Sequence, residues 1–63
     1  MSNRELEVFR LIGSGLDTKE VAEVMHVSIK TVETYQARIK EKLNLKSGRE
    51  LVQRAAQWLS AGK

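Results

Sequence analysis

The chain has 63 residues, with 11 basic and 8 acidic side chains, a single histidine and no cysteine. This length allows one domain at most, and the absence of cysteine excludes disulfides and thiolate metal sites. No apolar run approaches the roughly 20 residues that cross a bilayer, and the N-terminus lacks a signal-peptide pattern. We therefore expect a cytoplasmic protein that needs neither a membrane nor a cofactor.

The net charge of +3 is concentrated in one part of the chain. Residues 29–46 hold five basic and two acidic side chains, whereas the remaining residues hold six of each. A basic segment of this kind suits a phosphate-bearing partner such as nucleic acid. A merely solvated helix would have the same composition, so charge alone leaves both interpretations open.

Helix starts are marked by capping patterns. In a capping box, an oxygen side chain accepts a hydrogen bond from the third helical N–H, and the glutamate there reaches back. Three segments have this pattern: Ser2–Glu5, Asp17–Glu20 and Ser47–Glu50. Ser28 opens the remaining helix with Thr31 at the third position, which makes a weaker cap.

Helix ends are marked by residues that tolerate the left-handed backbone conformation. Gly15 and Asn44 are typical of this role, and His26 adopts it less readily. For His26, a helix-ending role is favoured over catalysis or metal binding. The sequence therefore predicts an all-α, compact four-helix domain over residues 1–63, with helices at about 3–14, 18–25, 29–43 and 48–60.

Apolar residues at helical spacing predict one small core. Each helix contributes its own set: Val8, Phe9 and Ile12; Val21, Ala22 and Met25; Val32, Ile39 and Leu43; Leu51, Val52, Ala55 and Leu59. A cofactor pocket is the alternative for these positions, but a core of this size has no volume to spare for one.

The third predicted helix has two different faces when it is wound at 3.6 residues per turn. Its apolar face carries Val32, Ile39 and Leu43, with Tyr35 and Gln36 at the margins. Its other face carries short and charged side chains, namely Lys30, Thr34, Ala37 and Glu41, flanked by Glu33 and Arg38. Because residues 26–28 join this helix to the second one by a short turn, the pair has the helix-turn-helix arrangement.

Several segments resemble one family of DNA-binding domains. Residues 4–12 (RELEVFRLI) and 15–22 (GLDTKEVA) resemble the opening of the LuxR/FixJ/NarL-type domain. Residues 28–35 (SIKTVETY) are similar to the start of its recognition helix, and residues 42–47 and 49–51 to its close. The segments cover essentially the whole chain, in order and with ungapped spacing.

The resemblance implies a four-helix domain that regulates transcription, usually at the C-terminal end of a longer protein. A receiver or ligand-sensing domain usually precedes it, so we expect either the effector part of a response regulator in a two-component system or a regulator that lacks its sensor domain. Two positions depart from the family pattern: Glu33 stands where lysine is common, and Tyr35 where histidine is common. These departures concern the DNA sequence that is read and leave the fold expectation unchanged.

The helix faces and the resemblance together predict the DNA contacts. The candidates for reading base edges in the major groove are Lys30, Glu33, Thr34 and Ala37. The candidates for contacting phosphates are Thr18, Lys19, Thr31, Tyr35, Arg38, Lys46 and Ser47. Two alternatives stay open: Glu33 pairs with Lys30 at the surface or faces solvent beside Ala37, and the Tyr35 ring packs on the core edge. Lys40 and Lys42 are expected to face solvent.

The resemblance also implies partners besides double-stranded DNA. The last helix is expected to form a homodimer on DNA through Arg54, Gln57 and Trp58, although Trp58 could equally half-cover the core of its own domain. RNA polymerase is a further candidate partner. A helical protein-interaction module without DNA binding is the alternative function, and it would need an exposed apolar stripe. An enzyme is rejected, because no catalytic constellation is found.

Overall fold

The computed structural model describes residues 2–61, and within that range the chain forms four α-helices and no strand. Helix α1 spans Asn3–Gly13, α2 spans Thr18–Met25, α3 spans Ile29–Lys42 and α4 spans Gly48–Ala61. The all-α prediction is confirmed, and every predicted helix end lies within one residue of the observed one. Met1, Gly62 and Lys63 belong to the predicted domain and lie outside the described residues.

The helix starts are capped largely as predicted. Ser2 Oγ accepts from the Glu5 N–H while Glu5 Oε1 accepts from the Ser2 N–H, both at 3.2 Å. The Asp17–Glu20 box is complete too, with distances of 2.8 and 3.0 Å. At α4 only half of the predicted box forms. Ser47 Oγ accepts from the Glu50 N–H at 3.2 Å, but Glu50 Oε1 accepts from the Lys46 N–H at 2.8 Å, one residue earlier than expected.

The three predicted helix ends share one geometry. Gly15, His26 and Asn44 have positive φ values of 101°, 59° and 58°. In each case the N–H of the next residue donates to the carbonyl five positions back, with distances of 3.3, 3.0 and 2.7 Å for Leu16, Val27 and Leu45. These three apolar residues then pack against the core. The bonds satisfy carbonyl groups that a helix end would otherwise leave unpaired.

The core lies where α1 meets α3 and α4, with α2 packed on α1 and α3. Among the residues whose burial the structure describes, ten hydrophobic side chains are buried: Val8, Phe9, Ile12, Val21, Ala22, Met25, Val32, Ile39, Leu51 and Ala55. All ten were expected in the core. Leu43 and Leu59 are only partly buried. The expectation for Val52 is wrong, since this side chain is 49% exposed. In the part of the chain that the structure describes, α4 packs on α1 and α3 but not on α2, so no helix covers the side of α4 that carries Val52.

Helix α1 is also joined to the end of α3 by an ion pair. Lys42 Nζ lies 2.9 Å from Glu5 Oε1, and the Glu5 residue is buried. The hydrogen bond from Lys42 lowers the pKa of the Glu5 carboxyl, and the Ser2 N–H lowers it further. The expectation that Lys42 only faces solvent is therefore wrong, because the last turn of α3 passes the start of α1. The Lys42 side chain remains half exposed.

Candidate nucleic-acid interface

Helix α3 has one face buried by the rest of the domain and one face free. It packs against α1, α2 and α4, and its Val32 and Ile39 side chains are fully buried. On the opposite face, all four base-reading candidates are exposed: Lys30, Glu33, Thr34 and Ala37. Three helices therefore hold α3 by its buried face, and the free face offers small and charged groups to a partner.

The turn between α2 and α3 fixes the angle at which α3 is presented. Helix α2 ends at Met25 and α3 begins at Ile29, so three residues make the connection. His26 takes the left-handed conformation there, and the Val27 N–H closes the α2 end on the Ala22 carbonyl. Ala22 is buried, and its small side chain lets the two helices approach closely. The predicted helix-turn-helix is thus observed in full.

Of two polar side chains on the exposed face of α3, Thr34 forms a hydrogen bond within the helix and Glu33 forms no ion pair. Thr34 Oγ1 donates to the Lys30 carbonyl at 3.1 Å, so the hydroxyl proton is used within the helix and the methyl group stays available for contact. Glu33 is exposed, and the one ion pair within residues 2–61 is that of Glu5 and Lys42. The surface pair between Glu33 and Lys30 is therefore not formed, and Glu33 faces solvent, which is the other form of the alternative for this residue.

One flank of α3 lies beside the starts of α2 and α4. Gln36 Nε2 on α3 donates to Thr18 Oγ1, the first residue of α2, at 3.2 Å. These two residues, together with Asp17 and Gly48, line one open cleft of about 270 Å³. The remaining phosphate candidates on this side are exposed, namely Lys19, Lys46 and Ser47. Two helix starts, each with free N–H groups, thus flank the same edge of α3.

The other flank of α3 lies beside the start of α1. Arg38 is exposed here, and its charge helps to lower the pKa of the Glu5 carboxyl, although less than Lys42 does. Thr31 is partly buried, and its hydroxyl lies 2.9 Å from that of Ser28. Tyr35 is partly buried and packs against the core, as the alternative for this residue predicted. The phosphate candidates therefore fall on both sides of the face that carries the four base-reading candidates.

Sequence reasoning missed two contacts around this surface. Gln36 was expected only at the margin of the apolar face, and its bond to Thr18 spans 18 positions. Glu5 was expected only to cap α1, although it is also buried. A signal existed for Glu5, since positions 5, 8, 9 and 12 repeat at helical spacing and so share the core face. For Gln36 no local signal identifies the partner.

The residues expected on the dimer surface are exposed on α4, but they line two different clefts. Arg54 and Gln57 line a shallow cleft near Leu45. Trp58 lines a separate cleft with residues of α1, among them Leu6 and Arg10. The Trp58 ring lies 5.4 Å from the Phe9 ring at 55°, while the residue remains 42% exposed. Trp58 therefore half-covers the domain's own core and also leaves an apolar surface in solvent.

Comparison with known proteins agrees with this arrangement. Residues 1–55 match the model of the family described as "Bacterial regulatory proteins, luxR family". The chain belongs to this family. Its members are regulators rather than enzymes, and membership supports a role in DNA-binding transcription regulation.

Similar proteins include three relatives described as oxygen regulatory protein NreC. The chain is 53% identical over 55 residues to the one from Staphylococcus carnosus, and 51% identical to those from Staphylococcus epidermidis and Staphylococcus aureus. Each match covers 87% of this chain and 25% of the relative, so the chain spans about a quarter of the relatives' length. No solved structure matches the chain. Within residues 2–61, no helix is long and apolar enough to span a bilayer.

Proposed function

We propose that this LuxR-family domain binds double-stranded DNA sequence-specifically, with α3 in the major groove. The observation that carries the proposal is the free face of α3, on which Lys30, Glu33, Thr34 and Ala37 are all exposed while the opposite face is packed on three helices. The major groove admits one α-helix, and the short Thr34 and Ala37 side chains allow a close approach.

The four groups on this face differ in what they can recognise. Lys30 donates to guanine O6 or N7, and Glu33 accepts from the amino group of cytosine. The methyl groups of Thr34 and Ala37 fit the methyl group of thymine. The same face lacks a stripe of large apolar side chains, which a protein-interaction module would need. DNA is therefore the better-supported partner.

The phosphate contacts are proposed on both flanks of α3. On one side, the starts of α2 and α4 supply N–H groups and hydroxyls from Thr18 and Ser47, with Lys19 and Lys46 adding charge. On the other side, Arg38 supplies charge and Thr31 and Tyr35 supply hydroxyls. Since the two flanks lie on either side of the base-reading face, α3 would enter the groove between two phosphate backbones.

Assembly on DNA is a further part of the proposal. The domain would act as the C-terminal effector part of a response regulator, in the cytoplasm where its DNA partner is found. We propose a homodimer through α4, supported by the exposure of Arg54, Gln57 and Trp58. RNA polymerase is a further candidate partner of the DNA-bound dimer.

Selection from random DNA duplexes at fixed salt, followed by a salt titration, tests this function. We expect an enriched motif with two half-sites, and binding that weakens linearly on a log–log plot, with a slope of about −0.9 for each phosphate neutralised by a basic side chain. Lys46→Ala removes one phosphate contact and should make the slope less steep by about 0.9. Lys40→Ala serves as the matched control and should leave the slope unchanged. No motif and a flat salt response would contradict DNA binding, and a single half-site would contradict the dimer.

A further inference from the structure

A single side-chain hydrogen bond joins α2 to α3 within residues 2–61. The amide Nε2 of Gln36 donates to Oγ1 of Thr18 across 3.2 Å, and the bond is partly buried. Thr18 is the first residue of α2, directly after its capping residue Asp17. The bond therefore connects the recognition helix to the point at which α2 would approach a DNA phosphate.

The chemistry of this bond determines what the Thr18 hydroxyl can still do. A threonine hydroxyl has one proton to donate and two lone pairs that accept. The Gln36 amide has no free electron pair on nitrogen, so it occupies a lone pair of Thr18 Oγ1 and leaves the proton unused. Inside a helix, that proton would go to the carbonyl four residues back, as Thr34 does with Lys30. Thr18 is the first residue of α2, and the residue four positions before it, Ser14, lies outside α1 and α2. The Thr18 hydroxyl proton therefore has no carbonyl acceptor within its own helix.

We propose that Gln36 is a positioning residue, which directs the Thr18 hydroxyl outward as a hydrogen-bond donor to a DNA phosphate. The inference rests on the proposed function, and specifically on the predicted contact between Thr18 and a phosphate. The first N–H groups of α2 have no intrahelical partner, so the hydroxyl adds a donor to a helix start that already attracts anions. By the same bond, Gln36 fixes where this helix start lies relative to α3.

A double-mutant cycle on the selected duplex tests the inference. Thr18→Val and Gln36→Met remove the hydrogen bond while nearly preserving side-chain volume. Because hydrogen bonds to charged groups are the stronger class, we expect Thr18→Val to weaken binding about tenfold and Gln36→Met about three- to tenfold. The double variant should bind no more weakly than Thr18→Val alone, and Thr18→Ser, which keeps the hydroxyl, should recover most of the binding that Thr18→Val loses.

Two readouts test whether Gln36 acts through a phosphate contact, and the second also separates positioning from a general structural role. Binding to an unrelated duplex should weaken by the same factor, so the ratio of specific to non-specific affinity stays constant. Ethylation of individual phosphates should show one position at which interference disappears in Thr18→Val and in Gln36→Met alike. Thermal unfolding of each variant checks the fold, and Gln36→Asn, whose amide is too short to reach Thr18, gives a second variant expected to match Gln36→Met.

Each failure has its own pattern. Wild-type binding by Gln36→Met, additive losses in the double variant, or a lower specificity ratio would overturn the role of Gln36. Wild-type binding by Thr18→Val would overturn both the Thr18 contact and the inference, while leaving DNA binding by the domain intact. If the wild-type domain selects no DNA motif, the proposed function itself fails.

Discussion

In the proposed DNA complex, Glu33 is the residue whose chemistry bears most directly on which DNA sequence is read. It is exposed on the free face of α3 and forms no ion pair within residues 2–61. A carboxylate near DNA phosphates is repelled unless it finds a donor, and the amino group of cytosine is a suitable one. In the proposed complex we therefore expect the side chain to favour one base and disfavour the others, which would contribute to specificity more than to affinity.

We expect Glu33→Ala to relax specificity more than it lowers affinity. The preference for cytosine at the contacted position should fall by about 1–2 kcal/mol, measured by competition between the selected duplex and single-base variants. Glu41→Ala is the matched control, because it removes the same charge from the exposed side of α3 nearer its C-terminal end. Equal losses of affinity on all duplexes would contradict the role assigned to Glu33.

The helical period predicts the exposure of some single residues but not of others. The exposure of Glu33, Thr34 and Ala37 follows from the helical period, because a residue three or four positions from another shares its face. The exposure of Val52 does not follow from it, since periodicity places the residue next to Leu51 without saying which helix covers that side. Burial depends on neighbours from other elements, and the period of one helix contains no information about them.

At the scale of elements, the residue that ends α2 has an unfavourable backbone conformation. His26 holds a left-handed conformation at φ 59°, which costs a residue with a β-carbon roughly 1 kcal/mol relative to glycine. We expect His26→Gly to be more stable than His26→Ala by about 1 kcal/mol, measured by denaturant unfolding. Both variants lose the exposed imidazole, so the difference isolates the backbone. Equal stabilities would show that the turn relaxes without cost.

The packing of α1 on α4 depends on a glycine. A β-carbon at Gly13 would lie 2.6 Å from the Ala55 carbonyl oxygen and 2.8 Å from Leu59 Cδ1. Gly13→Ala should therefore force the two helices apart and lower the free energy of unfolding by about 1–3 kcal/mol. The control is Gly48→Ala, where nothing lies within 4 Å of the added carbon. That change should leave stability unchanged or raise it by up to about 1 kcal/mol, because alanine favours helix.

At the scale of the whole molecule, the Glu5–Lys42 pair joins α1 to the end of α3. Because the folded protein lowers the pKa of the Glu5 carboxyl, the pair contributes its full stability at neutral pH, above the ordinary range for glutamate. The contribution declines as the pH falls below that range and is lost once the pH passes the lowered pKa. The wild type should therefore lose its advantage over Glu5→Gln on acidification, measured by denaturant unfolding at a series of pH values.

Two further variants check the origin of this pH dependence. Lys42→Met removes the largest cause of the lowered pKa, so the decline in stability should move to higher pH. Glu23→Gln removes an exposed negative charge from α2 and controls for the change in net charge. If Lys42→Met does not shift the pH at which stability declines, the pair does not link α1 to α3 in solution.

The sequence by itself determined the four helices, their starts and ends to within one residue, the ten buried hydrophobic side chains and the family. These features depend on hydrogen bonds between residues three to five positions apart and on the helical period of 3.6 residues, so residues close together in the sequence are enough to predict them. Only the tertiary structure decided which distant groups meet: Lys42 with Glu5, 37 positions away, Gln36 with Thr18, 18 positions away, and Trp58 with Phe9. Such pairs depend on the angles and distances at which helices pack, and the pattern along any one helix leaves those free.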